Sequence, residues 1–381
     1  MPTAQPLWMT DDLRMFRATV RQFIAKEFLP HQARWREQHR PDAEAWSAAG
    51  RAGILLPDVP EEYGGGGGSF AHEAVVQEEL ATAGVPFGSN VQSIVAHYVL
   101  AYGTDAQKRA WLPGMARGEC VGAIGMTEPG AGSDLQGIKT TARREGESYV
   151  ISGSKTFIGN GWHAGLVCLA VKTDPKASGP RGISLVMVET KDLRGYSVGR
   201  SLEKVGRQGQ DTCEIFFDEV KVPVGNLLGP AEGKGFSQMM TNLPYERLSV
   251  GVGAVATVEQ AVLLTVKYVK ERMAFGKPLI DFQNTRFKLA ECKTEAHIAR
   301  VFIDDCIKRY VAGELDAVTA AMAKYWLTDL QCKIIDECVQ LHGGYGYMTE
   351  YQIARMWADA RVERIYAGAN EIMKEVIGTS L

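Results

Sequence analysis

The 381-residue sequence predicts an α+β protein in three parts: an N-terminal all-α domain over residues 1–120, a central antiparallel β-barrel over 121–230, and a C-terminal four-helix bundle over 231–381. Three observations carry that expectation. Up to Arg117, apolar residues recur at helical spacing between Pro and Gly breaks. From Cys120 the texture changes to short β-rich runs bounded by Gly, Pro, Ser and Asp, with no helix-length pattern between them, which disfavours βαβ units. Beyond Gly229 the strands stop, and periodic stretches of about 25 to 35 residues return, whose apolar stripes need partners.

Thr10 ahead of Asp11 and Asp12 reads as a helix start, and Leu13, Phe16, Val20, Phe23, Ile24 and Phe28 follow at helical spacing until Pro30. Further helices are expected through Glu44 to Gly53, Ala71 to Ala83, Ser89 to Tyr102 and Thr104 to Arg117, with the glycine run Gly64 to Gly68 as a flexible connection. Strands are expected at Val121 to Thr127, Lys139 to Arg144, Tyr149 to Gly153, Leu166 to Lys172, Ile183 to Val188 and Glu214 to Val220. The bundle helices are expected over Phe236 to Arg272, Phe282 to Ala312, Ala317 to His342 and Tyr351 to Ala360.

Composition narrows the function classes. A hydrophobic share of 45% with 23% charged residues is that of an ordinary globular chain, and a net charge of −3 without a basic block argues against nucleic acid or an anionic membrane surface. Seven scattered cysteines, none in a C-x-x-C pair, point to neither a disulfide framework nor a zinc site. The N-terminus lacks a basic region followed by an apolar one, so a cytoplasmic, bacterial protein without membrane insertion is expected.

The segment VGAIGMTEPGAGSDLQG, Val121 to Gly137, carries the chemistry: a small apolar strand, a helix break at Glu128-Pro129, and a tight turn through Gly130, Gly132, Ser133 and Asp134. Glycines there let backbone N–H groups approach an anionic or planar ligand, and the Thr and Ser hydroxyls add hydrogen bonds. Other patterns are weaker. Gly251-x-Gly253-x-x-Ala256 matches a dinucleotide fingerprint but continues as helix on both sides, so close helix packing is expected. Gly229 to Gly235 is one residue short of a phosphate loop and reads as a turn, and seven isolated histidines support neither a metal hydrolase nor a catalytic triad.

Six ordered motifs then coincide with one family: MTEPGAGSDLQGIKT (126–140), GSKTFIGNG (153–161), ERMAFGKPL (271–279), MAKYW (322–326), QLHGGYGYMTEY (340–351) and IYAGANEIMKEVI (365–377). Over essentially its whole length the sequence resembles the acyl-CoA dehydrogenases, most closely the long-chain type. The resemblance implies FAD as cofactor, a homotetramer, α,β-dehydrogenation of an acyl-CoA thioester, and electron transfer to an electron-transfer flavoprotein. Two other readings stay open, an acyl-CoA oxidase using O₂ and an inactive acyl-CoA-binding module.

Carried over residue by residue, the resemblance places Ile124, Met126, Thr127, Gly132 and Ser133 at the flavin, Ser133 also near CoA, and Phe157, Ile158 and Gly159 against the other side of the ring. Gly159 departs from the Thr or Ser usual at that position. Arg272 and Gln283, with Gln340, Leu341, His342, Gly343 and Gly344, are implied to hold pyrophosphate and adenosine across a subunit boundary, and Ala369, Asn370 and Glu371 to close over the adenine side. Ser237, Pro244, Tyr245, Arg247 and Gly368 are the implied substrate contacts, and GVPFGSN (84–90) the floor of the acyl pocket. Removing an α-proton from a thioester requires a carboxylate against that carbon. Where many relatives carry it, after Ile-Tyr, this chain has Ala367, whose backbone N–H is implied to face the thioester oxygen; the alternative family position places the base at Glu246, with Glu371 as the rival carboxylate.

Overall fold

In the computed structural model, which describes residues 6, 8–177 and 179–381, helices, strands and helices follow one another in the expected order. The first part contains α1 (Asp11–Phe23), α2 (Gln32–Gln38), α3 (Ala43–Arg51), α4 (Phe70–Ala83), α5 (Ser89–Tyr102) and α6 (Asp105–Ala116). Thr10 caps α1 by accepting from the Leu13 N–H, as its sequence position predicts. Pro30 does not stop the rod: a π turn (Ile24–Phe28) and a 3₁₀ turn (Leu29–His31) carry the chain into α2, with Pro30 in the opening turn where its missing N–H is not needed. The glycine run is no flexible connection. Gly65 to Gly68 donate backbone hydrogen bonds to Pro60, Leu56, Val59 and Pro57, and a Cβ on Gly65 would sit 2.2 Å from the Val59 carbonyl oxygen, so glycine is imposed by close packing.

The central strands are β1 (Val121–Gly125), β2 (Thr141–Glu145), β3 (Ser148–Gly159), β4 (Ala164–Lys172), β5 (Ile183–Glu189), β6 (Tyr196–Ser201) and β7 (Thr212–Pro223). They form one seven-stranded sheet, β1-β4-β2-β3-β7-β6, with β5 also on β4. The pairs β2–β3, β3–β7, β4–β5 and β6–β7 are antiparallel, while β1 lies parallel to β4. β2 also meets β4 in parallel, at Thr141 and Lys172, and the β1–β4 pairing sets Ile124 opposite Cys168. β6, absent from the sequence reading, is an edge strand whose half-buried, glycine- and arginine-containing residues give no alternation.

The third part has α7 (Gly235–Glu271), a short hairpin of β8 (Met273–Ala274) and β9 (Lys277–Pro278), α8 (Gln283–Val311), α9 (Ala317–His342), α10 (Gln352–Ala360) and α11 (Asn370–Gly378). By length and composition α7 could cross a membrane, but 61% of its most apolar window is buried inside the protein, against α8, α9 and the N-terminal α4 and α5. Gly251 lies in this helix where a Cβ would come 3.2 Å from both Ile303 and Leu327, which is the close helix packing expected of the fingerprint-like pattern. The large core cluster runs through both helical parts, so α7 is shared scaffold between them.

Candidate active site

β1 delivers the chain to a loop whose shape is fixed from below. The Glu128 carboxylate accepts hydrogen bonds from Lys155 Nζ at 2.8 Å and from the backbone N–H groups of Lys139 (2.6 Å) and Thr140 (3.0 Å). Lys155, fully buried on β3, also donates to the Met126 carbonyl at 3.1 Å, and the Thr156 N–H donates to the Thr127 carbonyl at 2.9 Å. Burial pushes the Glu128 carboxyl up, but these donors outweigh it and hold it below the usual carboxylate range; burial lowers Lys155 to about 8, which leaves it cationic at neutral pH. Both motifs that the resemblance assigned to the flavin are thereby clamped together. The sequence reading gave neither Glu128 nor Lys155 a role, although both lie inside those motifs.

The clamp leaves Met126 and Thr127 half-buried and Gly132 and Ser133 exposed, and a Cβ on Gly130 or Gly132 would meet nothing within 4 Å. On the facing segment Ile158 is buried, whereas the Phe157 ring is 69% exposed on a left-handed backbone (φ 60°). A large aromatic residue held exposed in a strained conformation is what a planar ligand would cover. Gly159 is not imposed by crowding: its nearest neighbours to a Cβ, Gln210 and Val91, are 3.7 Å away, so the departure from Thr or Ser costs a hydroxyl and relieves no clash.

Glu246 lies on α7 and is 8% exposed. Its carboxylate accepts one hydrogen bond, from the Tyr98 hydroxyl of α5 at 3.0 Å, and its charge raises the buried Cys168 thiol beyond what burial alone does. Since Cys168 pairs with Ile124, this places Glu246 behind the strand that leads to the loop. Burial pushes the Glu246 carboxyl up to about 7, against the Tyr98 hydrogen bond and the Arg247 charge, which both pull it down. A carboxyl poised there matches the needs of a general base at neutral pH. Tyr98 carried no signal in the sequence, being one of several aromatic residues on a buried helix.

The C-terminal motif is brought to the same region by α9. Lys324, buried on α9, donates to the Gly368 carbonyl at 2.7 Å and to Asn370 Oδ1 at 2.8 Å, and Arg247 is close enough for its charge to lower Lys324 further after burial. Ala367 (φ 54°) and Gly368 (φ 88°) form a left-handed turn held by that lysine. Asn370 itself is buried, its amide donating to Thr328 and Asp329, so its side chain serves this turn; Glu371 is exposed on α11. Among the other implied substrate contacts, Tyr245 is turned into the core, where its hydroxyl donates to Asp58 at 3.1 Å. Ser237 is exposed and donates to the Lys234 carbonyl, Pro244 is half-buried within α7, and Arg247 is buried with Nε lacking a partner among the described residues.

At the far end of α7 the structure draws Arg272 over the Tyr345 ring, at 5.6 Å, beside the glycine turn. Tyr268 stacks on the His342 ring at 4.3 Å and donates to the His342 carbonyl, fixing where α9 ends. Gln283 and Gln340 are exposed and Leu341 half-buried, while Gly343 (φ 59°) and Gly344 stand open, with nothing within 4 Å of a Cβ on either. Each open glycine backbone suits one part of an extended cofactor such as FAD: the one beside the exposed Phe157 ring a planar ring, the one beside Arg272 a phosphate group.

Along α7 beyond Glu246, residues Ser249, Val250, Gly253 and Thr257 lie on one face and line a narrow cavity, open at one side, whose other walls include Asn90 and Tyr366. A Cβ on Gly253 would meet nothing within 4 Å.

Models of the N-terminal, middle and C-terminal domains of acyl-CoA dehydrogenases match residues 10–119, 123–220 and 233–381. The mouse long-chain specific acyl-CoA dehydrogenase of mitochondria is 44% identical over 370 residues, 96% of this chain and 86% of that protein. Among solved structures, an acyl-CoA dehydrogenase from Geobacillus kaustophilus is 46% identical with a TM-score of 0.96, covering 99% of each chain. A glutaryl-CoA dehydrogenase from Mycobacterium smegmatis in complex with FADH2 is 28% identical with a TM-score of 0.90, covering 97% of this chain and 94% of that one. Matched by all three models and by relatives spanning nearly its full length, this chain belongs to the acyl-CoA dehydrogenase family and is an FAD-dependent oxidoreductase acting on the CH–CH bond of acyl-CoA thioesters.

Proposed function

We propose that the substrates are medium-to-long or methyl-branched acyl-CoA thioesters, dehydrogenated to trans-2-enoyl-CoA in fatty-acid β-oxidation or related catabolism, with Glu246 as the base. The observation that carries this is the burial of Glu246 behind the flavin loop in a chain whose C-terminal motif offers only Ala367. The Glu246 carboxylate takes the α-proton. The Ala367 N–H, oriented by the left-handed turn that Lys324 holds, donates to the thioester oxygen as charge develops there. FAD would be held at its ring end by Met126–Ser133 and Phe157–Gly159 and at its phosphate end by Arg272 and Gly343-Gly344 of a neighbouring copy, and would supply the acceptor for the β-hydride.

The cavity beyond Glu246 supports the chain-length reading, since Gly253 and the small residues of 84–90 leave room where larger side chains would shorten it. Exposed apolar side chains on the β8–β9 hairpin and α8, with Phe275 at 95% exposure and Phe287, Ile298 and Val301 beside the same helix, support a homotetramer in which Arg272, Gln283 and the 340–344 turn serve a neighbour's FAD. The family's electron-transfer flavoprotein is the proposed electron acceptor, and the cytoplasm of a bacterium the proposed location. The test is anaerobic reduction of the bound flavin across saturated acyl-CoAs of increasing length: a maximum in the medium-to-long range is expected, and a maximum at butyryl-CoA would overturn the reading.

A further inference from the structure

The far wall of the acyl cavity is more polar than a hydrocarbon chain requires. Arg207, reaching in from the β6–β7 loop, donates to Glu363 Oε1 at 3.3 Å, and its backbone N–H donates to the Asp359 carboxylate. Gln331 is 1% exposed and Glu363 7% exposed, yet Gln331 Oε1 and Glu363 Oε2 have no hydrogen-bond partner among the described residues, and nor has Asn90 Oδ1. Gln331 and Tyr366 approach the Glu363 carboxyl closely enough to influence it, but neither meets Oε2 in hydrogen-bonding geometry. The three unpartnered atoms come from three elements, α5, α9 and the 3₁₀ turn at Arg361–Arg364, and all belong to residues lining the one cavity.

An unpaired buried acceptor costs about 1–3 kcal/mol, so acceptors gathered around one cavity favour a donor from outside the chain, beyond the proton that the Glu363 carboxyl, pushed up to about 7 by burial, can itself carry. Gln331 Oε1 and Asn90 Oδ1 are acceptors and Glu363 is one when ionised, and the nearby cation Arg207 is already set against Glu363 and Asp359, so an ammonium group would meet a positive charge while a neutral O–H would not. The cavity runs along the α7 face from Ser249, about one turn beyond Glu246, to Thr257, a span of about 12 Å at ~1.5 Å per residue, so chain atoms that enter it lie beyond the carbons beside the base.

We propose that the preferred substrates of this enzyme are acyl-CoAs whose chain carries a hydroxyl group remote from the thioester, donated to the unpartnered acceptors of Gln331, Glu363 and Asn90. This rests on the reading of Glu246 and its cavity as the acyl site. A site built to pair a substrate hydroxyl discriminates strongly against the analogue that lacks it, because its own polar groups are then left unpaired. The experiment compares kcat/KM for plain and terminally hydroxylated acyl-CoAs over a ladder of medium and long chains, with binding of each pair to wild-type holoenzyme followed by calorimetry. At the best length the hydroxylated substrate is expected to lead by about tenfold or more in both measures, and Gln331→Met, which keeps volume but removes the acceptor, should bring the ratio close to one. Equal or better handling of the plain chain at every length by the wild-type enzyme overturns the proposal and assigns the acceptors to trapped water. Calorimetry keeps the two readings apart: selective binding of the hydroxylated chain without flavin reduction overturns the cavity as a productive acyl site beside Glu246 and leaves the hydroxyl pairing standing, whereas unselective binding overturns the hydroxyl pairing whatever the turnover.

Discussion

Two glutamates of the active-site region expose nearly the same small area and titrate in opposite directions. Glu128, 7% exposed at the foot of the flavin loop, is met by a lysine and two backbone N–H groups; Glu246, 8% exposed on α7, is met by one tyrosine hydroxyl. The first is held below the usual carboxylate range and the second is pushed up to about 7. Burial alone therefore does not make a carboxyl reactive. Depth of burial and the number and charge of the donors decide whether a carboxyl stays ionised as a fixed strut or is poised near neutrality, and this protein holds one of each.

The sharpest test of that contrast is Glu246→Gln. It keeps shape and the Tyr98 contact but cannot take a proton, so flavin reduction by acyl-CoA should fall by about 10²- to 10⁴-fold while FAD and substrate remain bound. Stability should move the other way. The Glu246 carboxyl is raised from 4.5 to about 7 in the folded state, so its contribution is most favourable below pH 4.5 and is lost as pH rises through about 7. Thermal melts should show Glu246→Gln gaining on the wild type as pH rises from 5 to 8, and a constant difference across that range would dispose of the burial argument. If instead Glu371→Gln abolishes reduction and Glu246→Gln does not, the base lies in the C-terminal motif.

Glu128→Gln should reverse the sign of the stability change. It leaves the buried Lys155 without its counter-charge, a change that costs about 3–5 kcal/mol in such pairs, and it loosens the loop that carries Met126 and Thr127. We expect a lower melting temperature and flavin lost during gel filtration, with residual turnover in proportion to flavin retained. In the wild type the Glu128 contribution is present above pH 4.5 and lost as pH falls through the lowered carboxyl value. A variant that melts and retains flavin like the wild type would show that Glu128 is a bystander.

The smallest expected effect, Tyr98→Phe, makes Glu246 still less like Glu128 by removing its one donor. Losing a hydrogen bond worth ~1 kcal/mol, at about 1.4 kcal/mol per pH unit, should move the rising limb of kcat/KM to higher pH by about 0.7, with little change at the alkaline plateau. A uniform fall in rate at all pH values would mean that Tyr98 merely supports packing.

The fold order, every long helix, six of the seven main strands and the motifs at the flavin were legible because they are local: hydrophobic period, Pro and Gly breaks and short runs of chemistry-bearing residues are written consecutively along the chain. A candidate for the base was legible too, since Ala367 vacates one position and Glu246 occupies the other. What the sequence could not show are relations between distant segments. Tyr98 meets Glu246 across 148 residues, Lys155 meets Glu128 across 27, and Arg207 meets Glu363 across 156. Tyr245, next in line to the base and the natural candidate for a substrate contact, turns the other way to Asp58 because successive helical residues point about 100° apart. The glycines at 65–68 look permissive in sequence, yet they are demanded by carbonyls of residues 57 and 59 pressed against them. Identity and order of the elements follow from short-range periodicity, but burial, charge pairing and the titration of a carboxyl depend on which surfaces the tertiary fold closes together, and that is where a glutamate becomes either a strut or a base.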